Sequence, residues 1–491
     1  MNRGSGLNGN SSNAIFLTLV KLVTMAMGLV TTRLLSQYLT TYDYGTYSQV
    51  LLVSSTLCSF TILGMMDGVN YFYCGESNIE RREAYVSTIY SLQCIASAVG
   101  ALAIMGLEGT ICSMMRNEGL RPLLIFSAVM PFFQNILSIT QVLILSVGKA
   151  RLLAIRNFVV SLFRTIIVLV VVLRNHNVFT ILSLTMLLDI AQIVFFYITL
   201  MHEGCYIRLE KSDFSLVPQI LHYTVPMAVF VMLNTLNRDC DKYIISVLTD
   251  TDTMAVYANA AKILPFDIIQ TSFITVLLPQ ITRMISESKQ MEVVSLYRRF
   301  LEISYISTGV MAGAALAVAP QLMQLLYTEK YLSGVWIFRI YILVDLMRFA
   351  SATLLLSASG KTKTLMWISV GSVVANLLLN LCLFKPFGIV GPALATLFTT
   401  TATGVIILHF GAEALGTSAI EFFDSKYLAS FTIQALLAFC VSALVTYVLT
   451  SLQVFYVMSI PISVAIYVAI MCPKNVHRFL DDLHLIEHVE H

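Results

Sequence analysis

A series of apolar runs, each about 20 residues long, constrains what this chain can fold into more than any other feature of its sequence. In a hydrocarbon core about 30 Å thick no water reaches the backbone N–H and C=O groups, so a run of that length crosses as a helix. About fourteen runs qualify, from residues 14–35 to residues 454–471. Of 491 residues, 57% are hydrophobic and 12% charged, whereas a soluble domain carries about 25% charge. The expected fold is therefore an all-α polytopic membrane protein. The first run is 22 residues long, too long for the apolar region of a signal peptide, and reads as an uncleaved anchor.

The basic residues between the runs set an orientation. With the N-terminus inside, the inner segments hold 17 Lys and Arg and the outer loops 5. Short loops rich in these residues stay cytoplasmic, so both termini are expected in the cytoplasm, with an even number of crossings. The net charge is only +2, which offers nothing to nucleic acid. Nine Cys show no C-x-x-C spacing, so no zinc site, disulfide framework or cofactor is expected. Residues 473–491 mix apolar and charged positions and read as an amphipathic cytoplasmic tail.

An internal repeat organises the runs. Residues 33–53, RLLSQYLTTYDYGTYSQVLLV, and residues 243–263, YIISVLTDTDTMAVYANAAKI, lie 210 positions apart. Aligned without gaps, Ser36 meets Ser246, Thr41 meets Thr251 and Tyr47 meets Tyr257. Both stretches fall at the outer turn between the first two helices of a half. The expected architecture is two parallel-repeat six-helix lobes, residues 1–202 and 217–410. A cytoplasmic loop (203–216) joins them, and a C-terminal helix pair (411–472) and the tail follow. Transporters built from parallel repeats bind substrate between the halves.

Charges inside such runs need a reason. One at a helix centre costs about 2.5–3.5 kcal/mol, and each Leu or Ile returns only about 0.3–0.6. The runs nevertheless contain Lys21, Arg33, Arg164, Asp189, Lys262, Asp267, Arg339, Asp345 and Arg348, with Arg238, Asp239, Asp241 and Lys242 at the end of the seventh. These groups must line a wet interior or pair with one another. Lys21, Arg33, Arg164, Arg238, Lys242 and Lys262 stand at several depths, which suits the path of an anion, since each cation offsets part of the desolvation of a phosphate or carboxylate. Arg33 also reads as an anchor snorkelling to the interface, and Arg164 as a structural ion-pair partner. Asp189, Asp267 and Asp345 lie near the centres of their runs, where switchable protonation suits coupling to H+ or Na+. Asp345 and Arg348, three residues apart, read as an ion pair. Pro131, Pro226, Pro265, Pro279 and Pro320 supply kinks.

Enzymatic motifs are missing. Residues 357–364, SASGKTKT, end like a phosphate-binding loop, but position 355 is Leu where that loop needs Gly. No H-E-x-x-H or G-x-S-x-G occurs. An ATP-driven or catalytic protein is not expected, and the short outer loops weigh against a membrane glycan polymerase or ligase.

Three stretches carry a family resemblance: RLLSQYLTTYDYGTY at 33–47, DKYIISVLTDTDTMAVYANAAKI at 241–263, and NLLLNLCLFKPFGIVGPALAT at 376–396, with Asn376 and Asn380 one helical turn apart. In these the chain resembles the Wzx-like polysaccharide flippases, which move O-antigen and capsule units, of the superfamily that also holds the MATE multidrug exporters and the lipid II flippases. Ala255 stands where Gly is common in that family. The resemblance implies a flippase in the bacterial inner (plasma) membrane. It would carry undecaprenyl-diphosphate-linked oligosaccharide from the cytoplasmic to the outer leaflet by alternating access. The cation set would hold the diphosphate, and the polysaccharide polymerase and chain-length regulator would be partners. A MATE-like drug or cation antiporter is the alternative on the same fold, with twelve spans and an acidic or apolar cavity expected.

Overall fold

The computed structural model describes all residues except 1–5, 175–176, 263, 265, 267, 352 and 489–491. The described residues form helices and short connections, with no strand among them. Ten helical segments among them are long and apolar enough to cross a membrane, so the chain is a multi-pass membrane protein. It divides into two compact units, Met1–Ala255 and Val256–His491.

The first unit contains α1 (Gly6–Tyr38), α2 (Thr41–Thr61), α3 (Met65–Gly75), α4 (Ile79–Gly106), α5 (Glu108–Met114), α6 (Leu124–Ser146), α7 (Ala150–Arg174), α8 (Val178–His202) and α9 (Val217–Leu248). From it α10 (Thr251–Ala260) runs into the second unit. Short side chains start several of these helices: Thr40, Asn78 and Asn177 each accept from backbone N–H groups of the first turn, satisfying donors that no helix can satisfy itself. The core gathers Met65, Val69, Phe72, Tyr85, Ile89, Ile139, Leu143, Phe196, Leu200 and Ile220 from five helices. In a bilayer the lipid is as apolar as this core, so close packing rather than escape from water holds it together. Outward-facing Leu102, Leu173 and Leu187 accordingly stay exposed.

The second unit contains α11 (Ile268–Ser286), α12 (Gln290–Ala317), α13 (Ala319–Tyr327), α14 (Val335–Met347), α15 (Leu354–Ala358), α16 (Thr362–Phe387), α17 (Gly391–Ala414), α18 (Ser425–Ser451) and α19 (Tyr456–His488). α12 is its axis, buried along most of its length. One side packs against α11, α15 and α17 around Leu277, Tyr297, Phe300 and Leu408. The other meets α18 and α19 around Tyr305, Phe431 and Tyr467.

Several runs fold differently from their sequence pattern. The run at 47–65 breaks at Leu63 and Gly64, both at positive φ (47° and 66°). Gly64 lies so close to the α9 backbone that a Cβ would collide with the carbonyl of Thr224 and approach Ala228 N to 3.2 Å. The run at 158–173 belongs to a longer helix, α7, whose first turns carry Arg151 and Arg156; the Arg156 guanidinium covers the Phe196 ring at 4.8 Å. The run at 254–281 is two helices, α10 and α11, separated by residues 261–267. The last run and the tail as far as His488 form one helix, α19, which continues through Pro473. The connection at 203–216 is fastened to α4, where Asp213 N donates to Thr88 Oγ1 (2.9 Å) and Lys211 Nζ meets Glu83 (2.6 Å).

Candidate functional site

In the first unit the charges sit on α1, α7, α8 and α9. α1 lies along α7, with the Thr31 and Thr165 hydroxyls bonded at 2.9 Å and Ser161 Oγ donating to Thr24 O at 3.4 Å. On this pair Lys21 is exposed and Arg33 half-buried. Arg164 reaches from α7 to Asp189 of α8 (Nη2 to Oδ1, 3.4 Å), and Gln192 Nε2 donates to the same oxygen at 2.9 Å. On α9, Asp239 holds two cations: Lys242 Nζ at 2.7 Å and Arg238 Nη2 at 3.2 Å. In both groups the anion is buried and the guanidinium projects. Asp189 and Asp239 side chains are 5% and 6% exposed, those of Arg164 and Arg238 48% each.

At the end assigned to the outside, the two repeated stretches touch within the first unit. Thr41 Oγ1 donates to Asp252 Oδ1, Gln49 Nε2 to Ser246 Oγ at 2.7 Å, and Gly45 lies against Thr251, where a Cβ would collide with its carbonyl. Asn117 joins this junction, donating to Thr46 Oγ1 (2.8 Å) and Gln49 Oε1 (2.6 Å) and accepting from Tyr42 OH (2.6 Å). The Tyr-Asp-Tyr-Gly motif at 42–45 thus forms the start of α2 and a close approach.

In the second unit the break after α10 organises the charges. Lys262 is exposed there. Leu264 N donates to Asp345 Oδ2 of α14 at 2.9 Å, so a carboxylate takes a backbone donor that the broken helix cannot use. Arg348 Nη1 lies 4.0 Å from Asp345 Oδ1, and Gln270 Nε2 of α11 donates to Arg348 O and Phe349 O at 3.4 and 3.3 Å. Arg339 rests over the Trp336 ring at 4.8 Å. Asp267, assigned to coupling from its sequence position, lies outside the described residues. Asn380 Nδ2 donates to Asn376 O (2.8 Å) and Oδ1 (2.6 Å), along α16.

The sequence pattern gave no weight to a second cluster. Glu302 of α12 is buried and takes both Nε and Nη2 of Arg478, at 2.9 and 3.1 Å, with Arg298 Nε at 3.5 Å. Arg478 also reaches Asp424 at 3.3 Å, and Arg299 reaches Asp482 at 3.3 Å. A hydrogen bond from Tyr427 N, helped by Arg478 and Arg298, holds the Asp424 carboxyl below its ordinary value. Two cues were available: Arg298 stands four residues before Glu302, and Arg478 four before Asp482. Their joining across α12, α18 and α19 was not. Among the described residues no group of three His, Cys, Asp or Glu side chains could hold a metal ion.

Residues 30–336 match the model of a family described as "Polysaccharide biosynthesis protein". No curated protein sequence matches the chain. Among solved structures, the lipid II flippase MurJ in an inward closed conformation superposes with a TM-score of 0.72 at 14% identity, over 93% of this chain and 98% of MurJ. An inward-facing multidrug resistance MATE transporter of the MOP superfamily gives 0.60 at 12% identity, over 80% and 94%. A MOP superfamily transporter from Pyrococcus furiosus, whose binding pocket is described as of reversed polarity, gives 0.58 at 12% identity, over 82% and 94%. These likenesses show the fold, and the match over residues 30–336 shows the family: the chain belongs to the polysaccharide biosynthesis proteins, built on the fold of the MOP-superfamily transporters.

Proposed function

We propose that the protein is a flippase for undecaprenyl-diphosphate-linked oligosaccharide repeat units, moving them from the cytoplasmic to the outer leaflet of the inner membrane by alternating access. One observation carries this reading. Within the spanning helices α7, α8 and α9 the carboxylates Asp189 and Asp239 are buried while the guanidinium groups that they hold are half exposed; Lys21 of α1 and Lys262, beyond the end of α10, are exposed as well. Exposed cations within spanning helices face water rather than lipid. Their surplus positive charge suits a diphosphate, which takes charge-assisted hydrogen bonds from Arg and Lys. In this reading Lys21, Arg33, Arg164, Arg238, Lys242 and Lys262 line the path, and the two lobes at 1–202 and 217–410 alternate around it. Asp189, Asp267 and Asp345 are the candidates for H+ or Na+ coupling. MurJ, named for lipid II, supports a lipid-linked cargo. Both termini lie in the cytoplasm.

The test is leaflet-resolved measurement of lipid-linked oligosaccharide in cells. Loss of the protein is expected to leave the repeat unit on the cytoplasmic leaflet, and Lys21→Ala and Lys262→Ala each to slow its appearance outside about tenfold, the equivalent of about 1.4 kcal/mol. Unchanged transport by both variants would remove the cationic path.

A further inference from the structure

The end of α3 carries an aromatic cluster that the cationic path does not use. Tyr71 stacks on Tyr223 of α9, with ring centroids 4.3 Å apart and planes 20° from parallel. Phe72 meets these two rings edge-on at 5.0 and 5.8 Å and stacks on Tyr85 of α4 at 4.7 Å. Tyr85 OH donates to Gln219 Oε1 at 3.0 Å, and the Arg81 guanidinium lies 5.9 Å from the Tyr85 centroid. Four rings from three helices therefore fix one another in place. Phe72 and Tyr85 are buried, but Tyr71 and Tyr223 remain 57% and 37% exposed.

The surroundings of the exposed pair are polar. Asp67 and Asn70 lie one turn and one residue before Tyr71; Asp67 shares a helix face with both Asn70 and Tyr71. Asp67 is half-buried and within electrostatic reach of Tyr223, while Asn70 and His222 are exposed. A lipid-facing carboxylate is costly, so this face is wet. A rigid stacked pair that offers an outer ring face, edged by a carboxylate and an amide, matches the two sides of a pyranose. The ring's C–H face lies on the aromatics, and its hydroxyls bond with groups that accept or donate hydrogen bonds.

We propose that Tyr71 and Tyr223, edged by Asp67 and Asn70, form a carbohydrate platform that receives a sugar ring of the cargo at the end of the first unit assigned to the cytoplasm. This rests on the flippase reading above and names where the glycan, as distinct from the diphosphate, is recognised.

The test titrates the purified full-length protein in nanodiscs with geranyl diphosphate and with geranyl diphosphate bearing glucose, galactose or N-acetylglucosamine. At least one glycosylated probe is expected to bind about fivefold more tightly than geranyl diphosphate. Tyr71→Ala with Tyr223→Ala erases that difference and leaves geranyl diphosphate binding unchanged, whereas Tyr71→Phe with Tyr223→Phe retains it. Asp67→Asn with Asn70→Ala, which leaves the rings alone, reduces the difference and serves if the alanine pair does not fold. Equal binding of all four probes by the wild type overturns the platform, and so does a difference that survives in the folded alanine pair, or in the Asp67 and Asn70 variant if that pair does not fold. If geranyl diphosphate fails to bind while a glycosylated probe binds through the two rings, the platform stands and the cationic path falls. If no probe binds, both fall.

Discussion

Asp189 and Asp239 lie beneath the cations that they hold, and in the proposed reading each cation has two duties. Arg164 keeps a buried carboxylate compensated while its outward N–H groups remain available to a ligand. Removing the cation leaves Asp189 buried with Gln192 and the electrostatic influence of Arg156, and a poorly compensated buried charge is costly. Arg164→Ala is expected to lower unfolding stability by about 1–2 kcal/mol, discounted for the exposure of the guanidinium. The same substitution made on an Asp189→Asn background is expected to cost less than half as much. Chemical denaturation of the four proteins in detergent, read as a double-mutant cycle, measures this coupling. Transport by the double variant separates the two duties: restored stability without restored transport assigns Arg164 to the path as well as to the frame.

Helices show which features could be read in advance and which depended on tertiary contacts. The apolar runs announce helices because lipid leaves the backbone no other choice. The break at Leu63 and Gly64 was not legible, because residues 57–66 keep the mixed apolar and small-residue pattern of the run and the backbone that Gly64 approaches lies on α9, more than 150 residues along the chain. Glu302 escaped for the same reason, with Arg478 lying 176 residues away. The membrane charges were legible as a set, since their cost depends only on composition and depth. Their pairing depended on which helices meet. The junction between the repeated stretches yields a prediction at this scale. Gly45→Val drives a side chain into Thr251 and is expected to destabilise the first unit by about 1–3 kcal/mol, a loss measurable as a lower midpoint of thermal unfolding. The same substitution at Gly106, which has nothing within 4 Å, is the control and is expected to cost less than about 1 kcal/mol.

For the whole molecule, the proposed alternation of residues 1–202 against 217–410 requires the turns that meet at Thr41 and Asp252 to part during each cycle. Thr41→Cys with Asp252→Cys, oxidised in the membrane, is expected to stop outward movement of the lipid-linked unit, and reduction to restore it. Each single variant, treated identically, controls for the nine native thiols. Transport that continues through a formed cross-link would show that this junction stays shut throughout the cycle. The break between α10 and α11 bears on a different demand placed on any such machine. Peptide groups released from a helix inside a membrane attract water, and a file of waters conducts protons. Asp345 occupies the Leu264 N–H with a fixed oxygen, so this position of the break is sealed by protein. A carboxylate proposed for ion coupling thus also occupies a backbone donor that water would otherwise take.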